Sequence, residues 1–180
     1  MIYFVRHGQT DSNLNKLFPT QDVPLNETGI EQAKQTALSL KDVDFAVCYC
    51  SPLIRAKQTC EEILKYHSHL VPVYDERIQA RFYGKMENQP TGSITFNRWL
   101  MNADTAQAAN ALGMEKVNDL YQRVANFFDE ILAKYPKQNV LVVGHSCVGR
   151  VVAGYFNGIP EDNDFSSLKI SNAKVVIFDK

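Results

Sequence analysis

Short apolar runs alternate with amphipathic stretches along the chain. Ile2 to Val5, Phe45 to Cys50 and Val140 to Val143 are β-branched and aromatic runs, each of a length that suits a buried strand of a parallel sheet. Between them apolar residues recur at helical spacing, first at Ile30, Ala33, Ala37 and Leu38, then at Ala56, Cys60, Ile63 and Leu64. A third stripe comprises Leu120, Val124, Phe127, Phe128, Ile131 and Leu132; each set lies along one face of a 3.6-residue period. Thr28 with Glu31 three residues on is a capping-box pattern and predicts the start of the first helix. Ser51 and Pro52 read as cap and first turn of the second, and Pro136 ends the third, predicted from about Val117 to Tyr135. Val148 to Phe156 predicts a further helix and Ala173 to Phe178 a last strand.

Strand and helix signals that alternate in this way predict an α/β fold: a three-layer α/β/α sandwich with a mostly parallel central sheet and helices on both faces. No internal period and no Gly/Ser/Pro-rich linker divides the chain, so residues 1–180 are expected to form one domain. The stretch from Asn88 to Leu112 breaks the alternation with Pro90, Gly92, Trp99 and an alanine-rich run. It reads as a partly helical insertion whose Phe96 and Trp99 pack on the core, with a lid over a site as the alternative. In such sheets ligands bind beyond the carboxyl ends of the strands; functional side chains are therefore expected just after strands.

Composition narrows the function classes. With 180 residues, 45% of them apolar, the chain can bury a sizeable core without disulfides or a structural metal. Nineteen basic residues against twenty acidic ones leave a formal net charge of -1, which removes the long-range attraction that nucleic-acid and anionic-membrane binders use. Met1 to Val5 is too short for a signal-peptide core and meets Arg6 and His7 at once, and no apolar run reaches membrane-spanning length, so a cytoplasmic protein is expected. Cys48, Cys50, Cys60 and Cys147 match neither a zinc-site nor a disulfide-framework spacing and read as buried small apolar residues. His67 and His69 have no ligand partners at metal-binding spacing, so no metal is expected.

Two strand ends deliver a histidine. Arg6-His7-Gly8-Gln9-Thr10 follows the first strand and Gly144-His145-Ser146 the third. A single such histidine is commonly a satisfied polar residue, but two at one sheet edge with arginines nearby form a candidate anion site. Arg55 joins them from the first turn of the helix after the second strand. Guanidinium forks, backbone N–H groups and a helix N-terminus together suit a phosphate, with a carboxylate as the competing ligand. Gly144-His145-Ser146-Cys147-Val148-Gly149 misses a serine-hydrolase elbow by one residue, and no histidine follows it to complete a triad.

These blocks, with Asn13, Pro24-Leu25-Asn26-Glu27-Thr28-Gly29, Ser51 through Thr59, the region Asp75 to Asn88 and Ser171-Asn172-Ala173, closely resemble the histidine phosphatase superfamily in its phosphoglycerate-mutase-like branch. The resemblance implies that His7 is the nucleophile that becomes a phosphohistidine. It also implies that Arg6, Arg55 and His145 bind the non-bridging oxygens, with Asn13 supporting the same pocket. It implies a small phosphorylated substrate or inorganic phosphate as ligand, and neither cofactor nor metal.

One element of the family pattern is missing. The glutamate that resembles the family's proton donor, four residues before a glycine, is replaced by Ala80, while Gly84 and Glu87 match the later positions. Alanine transfers no proton, and loss of a general acid costs roughly a hundred- to ten-thousandfold with poor leaving groups. The expectation is a phosphatase on which Glu87, and next Glu76 or Glu115, supplies the proton or whose substrate leaves unaided. Mutase activity is not expected. The alternative is a non-catalytic or weakly active phospholigand-binding protein on the same fold.

Overall fold

A computed structural model describes residues 1–179. Its sheet has five strands: β1 (Ile2–Arg6), β2 (Val47–Cys50), β3 (Val73–Tyr74), β4 (Val140–Gly144) and β5 (Val175–Phe178), in the spatial order β3-β2-β4-β1-β5. Three of its four pairings run parallel; β5 alone is antiparallel, along β1. β1 and β4 are buried along their whole length, which is why they read as continuous apolar runs. The short edge strand β3, whose residues are exposed, has no signal in the sequence.

The helices are α1 (Asp11–Leu14), α2 (Glu27–Leu40), α3 (Ile54–Leu64), α4 (Ala103–Ala111), α5 (Val117–Lys134) and α6 (Ser146–Asn157). The two faces of the sheet divide them by the alternation of strand side chains. Tyr3, Val5, Cys48, Cys50, Leu141 and Val143 pack against α2 and α3 through Ala37, Leu40, Ala56, Cys60 and Ile63. Ile2, Phe4, Tyr49, Val140 and Val142 pack against α5 and α6 through Leu120, Val124, Phe127, Val148 and Val152. This is the three-layer α/β/α sandwich.

Two helix starts differ from the sequence reading. α2 is capped by Asn26, whose side-chain oxygen accepts the Gly29 N–H at 2.9 Å, rather than by Thr28; an asparagine one residue before the first turn satisfies the orphan donors better than a threonine inside it. α3 begins at Ile54 with Leu53 at its cap and no side-chain cap bond. Ser51 and Pro52 therefore precede the helix, and Ser51 is free for another partner. In the segment from 88 to 112, α4 is its one α-helix, and Phe18, Tyr83, Ala109 and Met114 form a small core of their own beside it. All four cysteines are free and buried.

Candidate active site

Register brings the two histidines together. In the parallel β1–β4 ladder Arg6 pairs with Gly144, so the next residue on each strand, His7 and His145, leaves the sheet at the same edge. Their ring centroids are 5.1 Å apart. β2 lies beside β4 with Cys50 opposite Val143, which sets Ser51 next to His145. The residues after three strands thus converge where parallel sheets place ligands.

Glycine makes the turn after β1 fit. A Cβ on Gly8 would lie 2.3 Å from the Gly29 carbonyl oxygen, and one on Gly29 would lie 2.0 Å from that of Gln9. The His7 loop and the first turn of α2 are therefore in backbone contact, which ties the block Pro24 to Gly29 to the site. The Gly8 N–H donates to Thr59 Oγ1 at 3.1 Å, and that hydroxyl donates to the Arg55 carbonyl at 2.9 Å. Helix α3 is thereby fastened to the loop that carries His7.

The hydrogen bonds also set the tautomer of His7. His7 Nδ1 lies 2.6 Å from the Gly8 carbonyl oxygen, an acceptor only, so Nδ1 carries the proton and Nε2 presents a lone pair. His145 Nε2 is 2.7 Å from Ser51 Oγ, while its Nδ1 is buried with no partner. The pKa of each histidine is held well below the ordinary value, first by burial and then by the charge of Arg55. Both are neutral rings at neutral pH.

Arg6 and Arg55 are almost fully enclosed, at 6% and 1% exposure. Arg6 Nη1 donates to the Ile170 carbonyl at 2.7 Å, and Arg55 Nη1 donates to the carbonyls of Thr20 at 3.1 Å and Gln21 at 3.0 Å. Each keeps a buried Nε–H without a partner. Burial lowers both guanidinium pKa values, that of Arg6 to about 10, which leaves them charged at neutral pH. Asn13 faces the same space, with its side-chain oxygen taken by Asn172 Nδ2 at 3.0 Å.

These groups line one cavity of about 280 Å³ together with Ala80, Tyr83, Arg98, Trp99, Cys147 and Arg150. Among the described residues its wall holds six cationic side chains and no carboxylate. Two neutral imidazoles amid free guanidinium donors are suited to a tetrahedral oxyanion.

Glu87, the expected acid, ends the short turn Gly84–Met86 and is not among the residues that line the cavity. Glu115 is held by Arg123 at 2.6 and 2.9 Å, and Glu76 lies on an exposed turn outside the cavity. The same Arg123 donates to the carbonyls of Arg77 and Gln79, which fixes the backbone that presents Ala80 to the cavity.

Several residues of the site escaped the sequence reading. Ser51 reads in the sequence as a helix cap, whereas its hydroxyl meets His145 Nε2 and Leu53 takes the cap position. Arg98 sits in the segment without periodicity, and Trp99 both joins the main core and lines the cavity. Arg150 carried a signal, as the one charge in the otherwise apolar α6 sequence; a buried arginine with no acid on its helix asks for a partner elsewhere.

Comparison with known proteins agrees with this architecture. The model of the histidine phosphatase superfamily (branch 1) matches residues 2–179. Over 173 residues the chain is 32% identical to the uncharacterized phosphatase PhoE of Bacillus subtilis (strain 168), covering 96% of this chain and 84% of that one. It is 29% identical to a 2,3-bisphosphoglycerate-dependent phosphoglycerate mutase of Enterococcus faecalis, covering 99% and 93%. The structure of Bacillus stearothermophilus YhfR superposes with a TM-score of 0.81 at 26% identity, covering 97% of this chain and 88% of that one. With the match running from the first strand to the last, the chain belongs to branch 1 of the histidine phosphatase superfamily.

Proposed function

We propose that the protein is a phosphatase that hydrolyses a small phosphomonoester through a phosphohistidine on His7, without a metal ion. The observation that carries this reading is the pair of neutral imidazoles set among buried, partly unpaired guanidinium groups in a cavity without a carboxylate. A dianionic phosphoryl group completes that set of donors. His7 Nε2 attacks phosphorus in line, the bond to the leaving oxygen breaks with its electron pair, and Arg6, Arg55 and His145 Nδ1–H stabilise the charge on the equatorial oxygens. Water then attacks the phosphohistidine, the P–N bond breaks, and inorganic phosphate is released. The arginines supply the charge neutralisation that a metal supplies elsewhere.

Ala80 determines which substrates react well. With no carboxylate in the wall, the leaving oxygen departs with the help of solvent or as a stabilised anion, so aryl and acyl phosphates react faster than alkyl ones. The same feature argues against mutase chemistry, which must cleave and re-form alkyl esters. Four free, buried thiols fit a reducing compartment such as the cytoplasm. Among the described residues no helix is long and apolar enough to cross a membrane.

The test is phosphate release from a panel of aryl, acyl and alkyl phosphates by the wild type and His7→Ala. Alkali-quenched protein is examined in parallel by mass spectrometry for a phosphoryl adduct on His7. Turnover of activated esters, an adduct that is alkali-stable and acid-labile, and loss of both in His7→Ala are expected. The second reading, a phospholigand-binding protein, is favoured by Ala80; binding of inorganic phosphate without turnover of any panel member would establish it.

A further inference from the structure

The block Ser171-Asn172-Ala173 has no part in the chemistry above, yet it is built into the His7 loop. β5 runs antiparallel to β1 with Val175 opposite Val5, so the residues that enter β5 pass beside those that leave β1. The Lys174 carbonyl accepts the Arg6 N–H at 3.3 Å, and the Ala173 N–H donates to the His7 carbonyl at 3.2 Å. Ala173 takes a left-handed φ of 54°, a conformation that persists in L residues where the surroundings over-determine it. Here Thr36 Oγ1 of α2 donates to the Ala173 carbonyl at 2.8 Å. The turn is held from both sides, and it carries Asn172, which lines the cavity.

One nitrogen of this side chain meets three acceptors. Asn172 Nδ2 donates to the His7 carbonyl at 3.2 Å, to the Gly8 carbonyl at 3.0 Å and to Asn13 Oδ1 at 3.0 Å. Three oxygens around one atom identify it as the NH2 end of the amide. The Gly8 oxygen is the same acceptor that His7 Nδ1 meets at 2.6 Å, and a carbonyl can take two donors. Asn13 Oδ1 likewise has two, Asn172 and the Thr10 N–H at 3.3 Å. The opposite end of the Asn13 amide, its Nδ2, has no partner among the described residues.

We propose that Asn172 is a positioning residue for two groups of the phosphoryl site: it holds the Gly8 carbonyl to the Nδ1–H of His7, and it orients the Asn13 amide so that the NH2 end is left for a phosphoryl oxygen. The proposal rests on the reading of His7 as the nucleophile. An imidazole free to rotate or to exchange tautomers presents its Nε2 lone pair for only part of the time, and fixing the carbonyl that takes Nδ1–H removes both freedoms. An asparagine free to flip offers an anion its carbonyl oxygen, which repels it, as readily as its N–H groups. One donor group, from a segment more than 150 residues along the chain from both, settles the two questions together.

Two variants separate this role from packing. Asn172→Ala removes the amide, whereas Asn172→Asp keeps its shape and sets an acceptor against three acceptors. A space-filling role makes the aspartate the milder change; a donor role makes it the more severe one. With 4-nitrophenyl phosphate, kcat is expected to fall about 10- to 100-fold in Asn172→Ala and further in Asn172→Asp. NMR of protein labelled with 15N-histidine, assigned with His7→Ala, reads the ring directly at neutral pH. Wild type should show one protonated and one unprotonated His7 nitrogen, and the two shifts should move toward each other in Asn172→Ala. Inorganic phosphate should bind Asn172→Ala about three- to tenfold more weakly. That loss should vanish in an Asn13→Ala background, where the fall in kcat persists.

An Asn172→Asp protein as active as wild type would overturn the proposal. Unchanged His7 nitrogen shifts would overturn its first half. A phosphate Kd within about twofold of wild type, or a loss of affinity undiminished in the Asn13→Ala background, would overturn the second. If Asn172→Ala does not fold, the same readouts on Asn172→Asp decide. If the wild type turns over no ester, the nucleophile reading falls, while the nitrogen shifts and the phosphate titrations still test the positioning role.

Discussion

His7 and His145 face each other at a centroid distance of 5.1 Å because each follows one member of the Arg6–Gly144 pair in the β1–β4 ladder. Ser51, the residue after β2, extends the relationship by meeting His145 Nε2 at 2.7 Å. If the hydroxyl donates there, Nδ1 carries the ring proton and becomes a donor aimed at the phosphoryl oxygens. Ser51→Ala is expected to lower kcat about tenfold with little change in KM, and the variant's thermal unfolding should match wild type within a few degrees. A KM effect alone would refute this positioning role.

Burial and the charges of Arg55 and Arg6 hold His7 well below the usual imidazole pKa. The nucleophile is therefore unprotonated across the range in which a free histidine titrates. The acidic limb of kcat/KM, which reports the free enzyme, should lie below pH ~6.5, measured with a substrate whose own ionisation is corrected for. A limb centred at or above that value would contradict the electrostatic description.

The same shifts predict how stability varies with pH. His7, His145 and His67 all have lowered folded-state values, with burial as the largest cause. Below about pH 6.5 the unfolded chain takes up protons that the folded chain refuses. Stability is thus fully present above that pH and falls as the pH drops through it, by up to about 1.4 kcal/mol per pH unit for each fully buried ring. Urea midpoints between pH 5 and 8 measure the slope, and added phosphate should reduce it.

Ala80 lines the cavity and its backbone is held by Arg123. Ala80→Glu restores a carboxyl group to the wall. The rate for alkyl phosphates should rise by about a hundredfold relative to that for activated aryl phosphates, the usual worth of a general acid. An unchanged alkyl-to-aryl ratio, in a variant that still turns over aryl esters, would mean that proton donation does not limit the enzyme.

Arg55 lines the cavity, holds the Thr20–Gln21 backbone and keeps a buried Nε–H without a partner. Arg55→Ala removes a charged donor and frees that loop together. A loss of roughly a hundred- to a thousandfold in kcat/KM is expected, larger than for Arg55→Lys, which keeps the charge without the fork.

Gly8→Ala tests the contact with Gly29. The added Cβ would lie 2.3 Å from a backbone oxygen that cannot move without shifting α2. Overpacking of this kind costs about 1–3 kcal/mol, equivalent to a fall in Tm of roughly 3–10 °C at this chain length.

Much of the fold was legible because local physics wrote it. The runs Ile2 to Val5 and Val140 to Val143 are buried on both faces and must be apolar throughout, and the stripe from Leu120 to Ile131 must face the sheet. The histidines and arginines after strand ends were legible too, since parallel sheets put ligands there. β3 was not, because two exposed edge residues need no hydrophobic pattern. Nor was the lack of a carboxylate in the wall around Ala80: Glu87 is close in sequence but does not line the cavity, and Glu115 is spent on Arg123.

By itself, then, the sequence determined the layers, the strand ends that carry Arg6, His7 and His145, the helix start that carries Arg55, and the alanine at position 80. Only the tertiary structure decided that Ser51 serves His145 rather than a helix, and that Asn172 meets His7, Gly8 and Asn13. The physical reason is separation along the chain. Strand register and the packing of distant segments set those contacts, and neither leaves a periodic mark on the residues that make them.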